Sequence, residues 1–239
     1  MSLLGYIILF SVLGGVLSLA GGVAMLVWQD KLMKNVCGLT SFAAGVLIAV
    51  SVLDLLPEAF AHGNSQLVGF FVLVGVLFLY VLEKTSVWLH HHHETDVQPE
   101  IVGVFLGDSL HNLVDGLAIG AAFLISVPAG IATAVAVGMH ELPQEIADFS
   151  LYIKAGFSKV KTLSLNLASS FMTLVGSLGV YFLRESISGL EVYMLAITAG
   201  MFLYIALADL LPELHEHDHG KRTAKELLIF VLGMVLVFV

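Results

Sequence analysis

Two polar stripes stand out in this sequence because each lies in the middle of a long apolar stretch. The first runs Gly107-Asp108-Ser109-Leu110-His111-Asn112-Leu113-Val114-Asp115-Gly116, where Asp108, His111, Asn112 and Asp115 recur at i, i+3, i+4 and i+7 and share one helix face. The second runs from Gly138 to Asp148 and aligns His140, Glu141, Gln144, Glu145 and Asp148 in the same way. Ionisable groups at a bilayer's centre cost at least about 2.5–3.5 kcal/mol each on insertion scales, so such a cluster needs a compensating partner. A divalent cation supplies one. Histidine nitrogen mixed with carboxylate and amide oxygen suits Zn²⁺, Fe²⁺ or Mn²⁺ better than Ca²⁺ or Mg²⁺. His111/Asp115 and His140/Gln144 each put two donors one turn apart, the spacing that lets a single helix chelate. Asn112 and Glu141 point to one side, where a second, adjacent site would share Asp115 and Gln144. The metal-free alternatives are a buried hydrogen-bond network or a proton relay.

The elements that must carry these stripes follow from composition. Of 239 residues 58% are hydrophobic and 12% charged, against about 45–50% and about 25% in a soluble domain. The chain therefore reads as an all-α polytopic membrane protein. Cutting it at charged and turn-forming clusters leaves eight spans, near 3–28, 36–57, 67–89, 101–125, 128–153, 160–183, 190–213 and 224–239. The N-terminus lacks a basic signal region and is expected to be a retained first span. The last span is the weakest, because its purely apolar part runs only from Leu227 to Val239.

Charge orients the spans. Lys31, Lys34, Lys84, Lys154, Lys159, Lys161, Lys221, Arg222 and Lys225 fall on one side and only Arg184 on the other, so the positive-inside tendency places both termini outside the cytoplasm. A net charge of -9 argues against nucleic acid, which needs a basic surface, and points towards cations. A single cysteine, Cys37, rules out a disulfide framework or a CxxC metal site within one chain.

An internal repeat links the flanking spans. Ala44-Gly45 is followed nine residues after the glycine by Asp54-Leu55-Leu56-Pro57-Glu58, and Ala199-Gly200 in the same register by Asp209-Leu210-Leu211-Pro212-Glu213. With the orientation above, the two copies run antiparallel, as in transporters that alternate access around a midplane site. Asp54, Glu58 and His62 would line the outer mouth, and Asp209, Glu213, His215, His217 and His219 the inner one. The small residues Gly14, Ser18 and Gly22 on span one read as helix packing. Asn166, Ser169, Ser170 and Thr173 on span six read as interhelical hydrogen bonding. Pro143 within the fifth span removes a backbone hydrogen bond and is expected to kink the helix.

With these residues in view, the chain resembles the ZIP family of zinc and iron permeases. His111-Asn112-Leu113-Val114-Asp115-Gly116 is similar to that family's fourth-helix His-Asn-x-x-Asp/Glu-Gly motif, and His140-Glu141-Leu142-Pro143-Gln144-Glu145 to its fifth-helix His-Glu-x-Pro-His-Glu motif. The segment from Ala199 to Glu213 also resembles the family's seventh helix. The resemblance implies eight helices in a 3+2+3 inverted-repeat arrangement within a single transporter domain over 1–239. Its repeat halves would be about 1–89 and 160–239, with metal-site helices about 100–153 and a cytoplasmic His loop at 90–99 holding His90 to His93. It implies a binuclear metal site on His111, Asn112, Asp115, His140, Glu141 and Gln144. It also implies import of divalent metal, Zn²⁺ first with Fe²⁺, Mn²⁺ and Cd²⁺ behind it, by an elevator-like motion of the bundle holding helices four and five. Gln144 departs from the family pattern, where a second His or a carboxylate is common, and so lowers affinity.

No prosthetic group is expected. The expected partners are the transported ions and the lipid bilayer, not nucleic acid, with a second copy in a homodimer as a further candidate and the plasma membrane as location. The rival from another class is an intramembrane zinc-dependent hydrolase, because His140-Glu141-x-x-Gln144 differs by one residue from the zincin His-Glu-x-x-His. Pro143 and Gln144 count against it.

Overall fold

Helix follows helix along the chain. The computed structural model describes residues 1–33, 35–91, 97–216 and 223–237, and all regular structure among the described residues is helical. We number the helices by span: α1 (Leu3–Met33), α2 (Val36–Ala49, Val50–Leu55 and Leu56–His62), α3 (Ser65–His91) and α4 (Val97–Ile125). They are followed by α5 (Val127–Lys154), α6 (Lys159–Leu183), α7 (Glu191–Tyr204, Ile205–Leu210 and Leu211–Glu216) and α8 (Thr223–Leu236). His92, His93, His217 and His219 lie outside the described residues, as do the side chains of His90, His91, Glu213 and His215.

Local chemistry sets the helix starts. The Ser126 hydroxyl accepts from the Ala129 N–H at 3.2 Å to cap α5, with Pro128 in the first turn where its missing N–H costs nothing. Ser158 caps α6 through the Lys161 N–H, and Asn64 Oδ1 accepts from Gln66 and Leu67 to start α3. Helix α5 continues through Pro143, which has no N–H to give the Met139 carbonyl.

The chain is an integral membrane protein. Five helical segments among the described residues are long and apolar enough to cross a bilayer: Leu3–Ala24, Val36–His62, Ser65–Leu82, Lys159–Leu183 and Glu191–Leu210. The three other expected spans differ for physical reasons. Helices α4 and α5 carry the polar stripes, which dilute their apolar content, and α8 has 14 residues, about 21 Å at about 1.5 Å per residue, short of a 30 Å hydrocarbon core.

Packing divides the helices into two groups. Helix α4 packs along α6, and α1 along α5 and α6, while α2 packs along α8 and α3 along α7. The groups meet chiefly where α2 touches α5 and α4 touches α7. Exchanging α2 with α7, α3 with α8, α1 with α6 and α4 with α5 maps this contact pattern onto itself, as an internal repeat requires. The two copies also share backbone detail: Val50–Leu55 and Ile205–Leu210 are both π-helical turns, and Asp54 and Asp209 occupy the same place in each. Such turns are frequent at functional sites. The repeat glycines mark the crossings. A Cβ on Gly45 would strike the Phe230 carbonyl of α8, and one on Gly200 the Val72 carbonyl of α3.

Candidate metal centre

The chain reverses at Ser126, between α4 and α5, and lays the two polar stripes against each other. His111 Nε2 and His140 Nε2 then face each other at 3.2 Å. Asp115 Oδ2 lies 3.2 Å from His140 Nε2 and 3.7 Å from His111 Nε2. Glu141 Oε1 lies 3.5 Å from His111 Nε2 and 3.9 Å from His140 Nε2. These four donor atoms all fall within 4.8 Å of one another. Zn–N bonds of about 2.0–2.1 Å in a tetrahedron require ligand atoms about 3.3 Å apart, so the five separations just given are close to the edges of one coordination polyhedron.

Neighbouring groups fix the donors. His140 Nδ1 lies 3.1 Å from the Ala136 carbonyl one turn back, so it carries the proton and leaves the Nε2 lone pair facing inward. The His140 ring meets Phe202 of α7 edge-on at 5.9 Å, which shields it with an apolar surface from the other helix group. His140, Asp115 and Glu141 are buried, and His111 alone of the four keeps 17% of its side chain exposed. Asp115 Oδ2 and both carboxylate oxygens of Glu141 have no hydrogen-bond partner. Neither carboxylate pairs with Lys or Arg among the described residues. Buried polar atoms are ordinarily satisfied, and a bound divalent cation would satisfy these.

The other expected ligands are placed differently. Asn112 is buried, but its Nδ2 donates to the Asp108 carbonyl at 3.1 Å and to Asp108 Oδ1 at 2.9 Å, and its Oδ1 accepts from Thr173 Oγ1 at 2.9 Å. Its amide is thus engaged with Asp108 and α6. Gln144 is half-buried one turn beyond His140. Glu145, on the same sequence stripe, turns to α6, where Asn166 Nδ2 and Ser170 Oγ donate to its carboxylate. Asn166, Ser170 and Thr173 of the α6 stripe form the expected interhelical hydrogen bonds, Ser169 donates within α6 to the Leu165 and Asn166 carbonyls, and Ser11 adds a bond to Ser177 at 2.8 Å. On α2, Asp54 and Glu58 are half-buried, and exposed His62 places Nδ1 3.0 Å from the Glu58 carbonyl. Asp209 is exposed.

Two residues near these groups escaped the sequence reading. Phe202 had no detectable signal, being one aromatic in an apolar helix. Tyr152 did have one: it sits one turn past Asp148 on the α5 stripe, and it is fully buried.

Comparison with known proteins adds a family. Residues 101–239 match the family model described as ZIP Zinc transporter. The chain is 34% identical over 215 residues to Zinc transporter ZIP13 of Pongo abelii, covering 83% of this chain and 65% of that protein. It is 37% identical over 178 residues to Zinc transporter ZIP10 of Homo sapiens, covering 66% of this chain and 21% of that protein. It is 46% identical over 112 residues to Zinc transporter ZIP4 of Homo sapiens, covering 46% of this chain and 17% of that protein. The chain thus spans from under a fifth to just under two thirds of the length of these curated relatives.

Proposed function

Because the chain belongs to the ZIP zinc transporter family, we propose that it carries divalent transition-metal ions, Zn²⁺ foremost, across the membrane it spans. The observation that supports this most is the buried cluster of His111, Asp115, His140 and Glu141. Two neutral imidazoles and two carboxylates sum to a charge that one divalent ion cancels, so the loaded centre is neutral. That removes most of the penalty for holding charge inside a bilayer.

Asn112 and Gln144 extend the centre into a binuclear site between α4 and α5. Asn112 joins by exchanging its Thr173 bond for the ion. Gln144 contributes an amide oxygen, a weak ligand that favours release. Fe²⁺, Mn²⁺ and Cd²⁺ are the further candidate cargoes, since histidine and carboxylate donors accept all of them.

Movement follows from the two helix groups. Four spans, α3 to α6, lie between α2 and α7, so the repeat copies run in opposite directions and the chain forms a 3+2+3 inverted arrangement over 1–239. The halves are about 1–89 and 160–239 and the central helices about 100–153. The group α1, α4, α5 and α6 shifts against α2, α3, α7 and α8 and carries the ion past the Phe202 shield. The asymmetry of the basic loops supports an orientation with both termini outside the cytoplasm, and import across the plasma membrane is the reading that goes with it.

The hydrolase reading loses its base. Glu141 Oε1 stands 3.5 Å from His111 Nε2, among the chelating atoms, and so has no free position over a metal-bound water. Zn²⁺ titration of the purified protein and its His111→Ala variant tests the reading. Binding weakened in the variant supports a metal carrier, and unchanged binding would replace it with a carrier that does not use this centre.

A further inference from the structure

Glu145 belongs to the α5 stripe, yet it is not built like a ligand. It is 1% exposed, and both oxygens of its carboxyl are engaged on α6: Asn166 Nδ2 donates to Oε2, and Ser170 Oγ donates to Oε1 at 3.1 Å. The carboxylates of the metal cluster differ, since Asp115 Oδ2 and both oxygens of Glu141 are buried without a partner. Glu141 lies one turn before Glu145 on α5. One turn of this helix therefore brings a carboxylate to the cluster, and the next fastens a carboxyl to α6.

The cluster depends on how α5 is placed against α4. Of the five donor separations given above, the three shortest cross between these helices: His111 Nε2 to His140 Nε2 at 3.2 Å, Asp115 Oδ2 to His140 Nε2 at 3.2 Å, and Glu141 Oε1 to His111 Nε2 at 3.5 Å. Helix α6 touches both and is their common reference. It meets α4 backbone to backbone, where a Cβ on Gly116 would strike the Thr173 carbonyl and one on Gly176 the Leu113 carbonyl. Thr173 Oγ1 adds a hydrogen bond to Asn112 Oδ1 at 2.9 Å, one residue from His111. It meets α5 over a smaller contact, and there Glu145 supplies two hydrogen bonds. Apolar packing is non-directional and lets a helix slide or turn, whereas a hydrogen bond weakens steeply once its angle is lost. A carboxyl gripped at both oxygens therefore fixes the rotation and height of α5. Burying such a group is costly, and apolar side chains of similar volume are often no less stabilising, so its best-attested use is to set register.

We propose that Glu145, held by Ser170 and Asn166, is a positioning residue of the metal centre and makes it selective for ions with short bonds. It touches no ion. It acts through His140 and Glu141, keeping them at the distance from His111 and Asp115 that suits Zn–N bonds of about 2.0–2.1 Å. With this strut removed, α5 is free to shift, the cluster adapts to an ion with longer bonds such as Cd²⁺, and the advantage of Zn²⁺ shrinks. The inference rests on the reading that these four residues bind the metal.

The test measures Zn²⁺ and Cd²⁺ affinities of the full chain by equilibrium dialysis, for the unaltered protein, Ser170→Ala, Glu145→Leu and the two combined. Ser170→Ala removes a single oxygen atom and serves where Glu145→Leu fails to fold. Zn²⁺ affinity should fall about tenfold or more in each variant, the range seen when a metal ligand loses a supporting group, and Cd²⁺ affinity should fall less. The combined variant should lose no more than Glu145→Leu alone, because both changes break the same contact. A residue that only stabilises the fold would lower the melting temperature and leave the ratio of Zn²⁺ to Cd²⁺ affinity unchanged. An unchanged ratio in folded variants, or losses that simply add, overturns the proposal, as does an unaltered chain that binds neither ion. Zn²⁺ flux into liposomes reports separately on transport: binding that depends on Glu145 without any flux would remove the carrier reading and keep the positioning role.

Discussion

His111 Nε2 and His140 Nε2 stand 3.2 Å apart across the seam between α4 and α5. Two such lone pairs repel at this distance unless a proton or a metal ion lies between them. The Ala136 carbonyl, 3.1 Å from His140 Nδ1, holds the proton of that ring on its far side. His140 Nε2 is therefore an acceptor, open either to the Nε2 proton of His111 or to a metal ion held between the two rings.

Zinc loading should accordingly give an X-ray absorption spectrum with two imidazole nitrogens at about 2.0–2.1 Å from the metal. His140→Ala should remove one of them and weaken Zn²⁺ binding by at least about 100-fold, since even outer-sphere partners are worth about 10–100-fold. A spectrum with oxygen neighbours only would place zinc elsewhere.

Gln144 offers a test in the opposite direction. Replacing its neutral amide with imidazole in Gln144→His adds a stronger zinc ligand one turn from His140. Zn²⁺ affinity should rise about tenfold or more while uptake slows, because an ion held more tightly leaves more slowly. Calorimetric titration and flux on the same preparation check both halves.

Close helix approach predicts a contrast between two glycines. A Cβ on Gly116 would strike the Thr173 carbonyl, whereas one on Gly179 meets nothing within 4 Å. Gly116→Ala should destabilise the protein by about 1–3 kcal/mol through overpacking, lowering its melting temperature in detergent. Gly179→Ala should not lower it.

Equivalent glycines of the repeat should behave alike. Gly45 and Gly200 each face a backbone carbonyl of the neighbouring group member, Phe230 and Val72 respectively. Gly45→Ala and Gly200→Ala should each cost about 1–3 kcal/mol, and melting curves of the two variants should shift by similar amounts. A large shift in one and none in the other would contradict equivalent crossings.

Much of this was legible in the sequence, for reasons that particular residues make plain. His111, Asp115, His140 and Glu141 were visible because ionisable groups at helical spacing inside apolar segments have few uses. The repeat was visible because the Asp54–Glu58 and Asp209–Glu213 segments share their order and their distance from Gly45 and Gly200. Spacing could not say which member of a stripe faces which neighbour. A helical stripe is wide enough to touch two partners, so Asn112 and Glu145 fall to Thr173, Asn166 and Ser170 of α6 while their neighbours face the metal centre. The Phe202 shield and the paired π-helical turns arise from tertiary packing and leave no mark in the periodicity.

The most direct test of metal carriage is Zn²⁺ flux into liposomes holding the purified chain and a metal-sensitive dye, run beside Asp115→Ala. Asp115 is 1% exposed and sits 3.2 Å from His140 Nε2, so its loss removes half the negative charge that balances the ion. Saturable uptake by the unaltered chain, abolished in folded Asp115→Ala protein, is the predicted result. Equal uptake by both, or none by a folded chain that binds zinc, would contradict it.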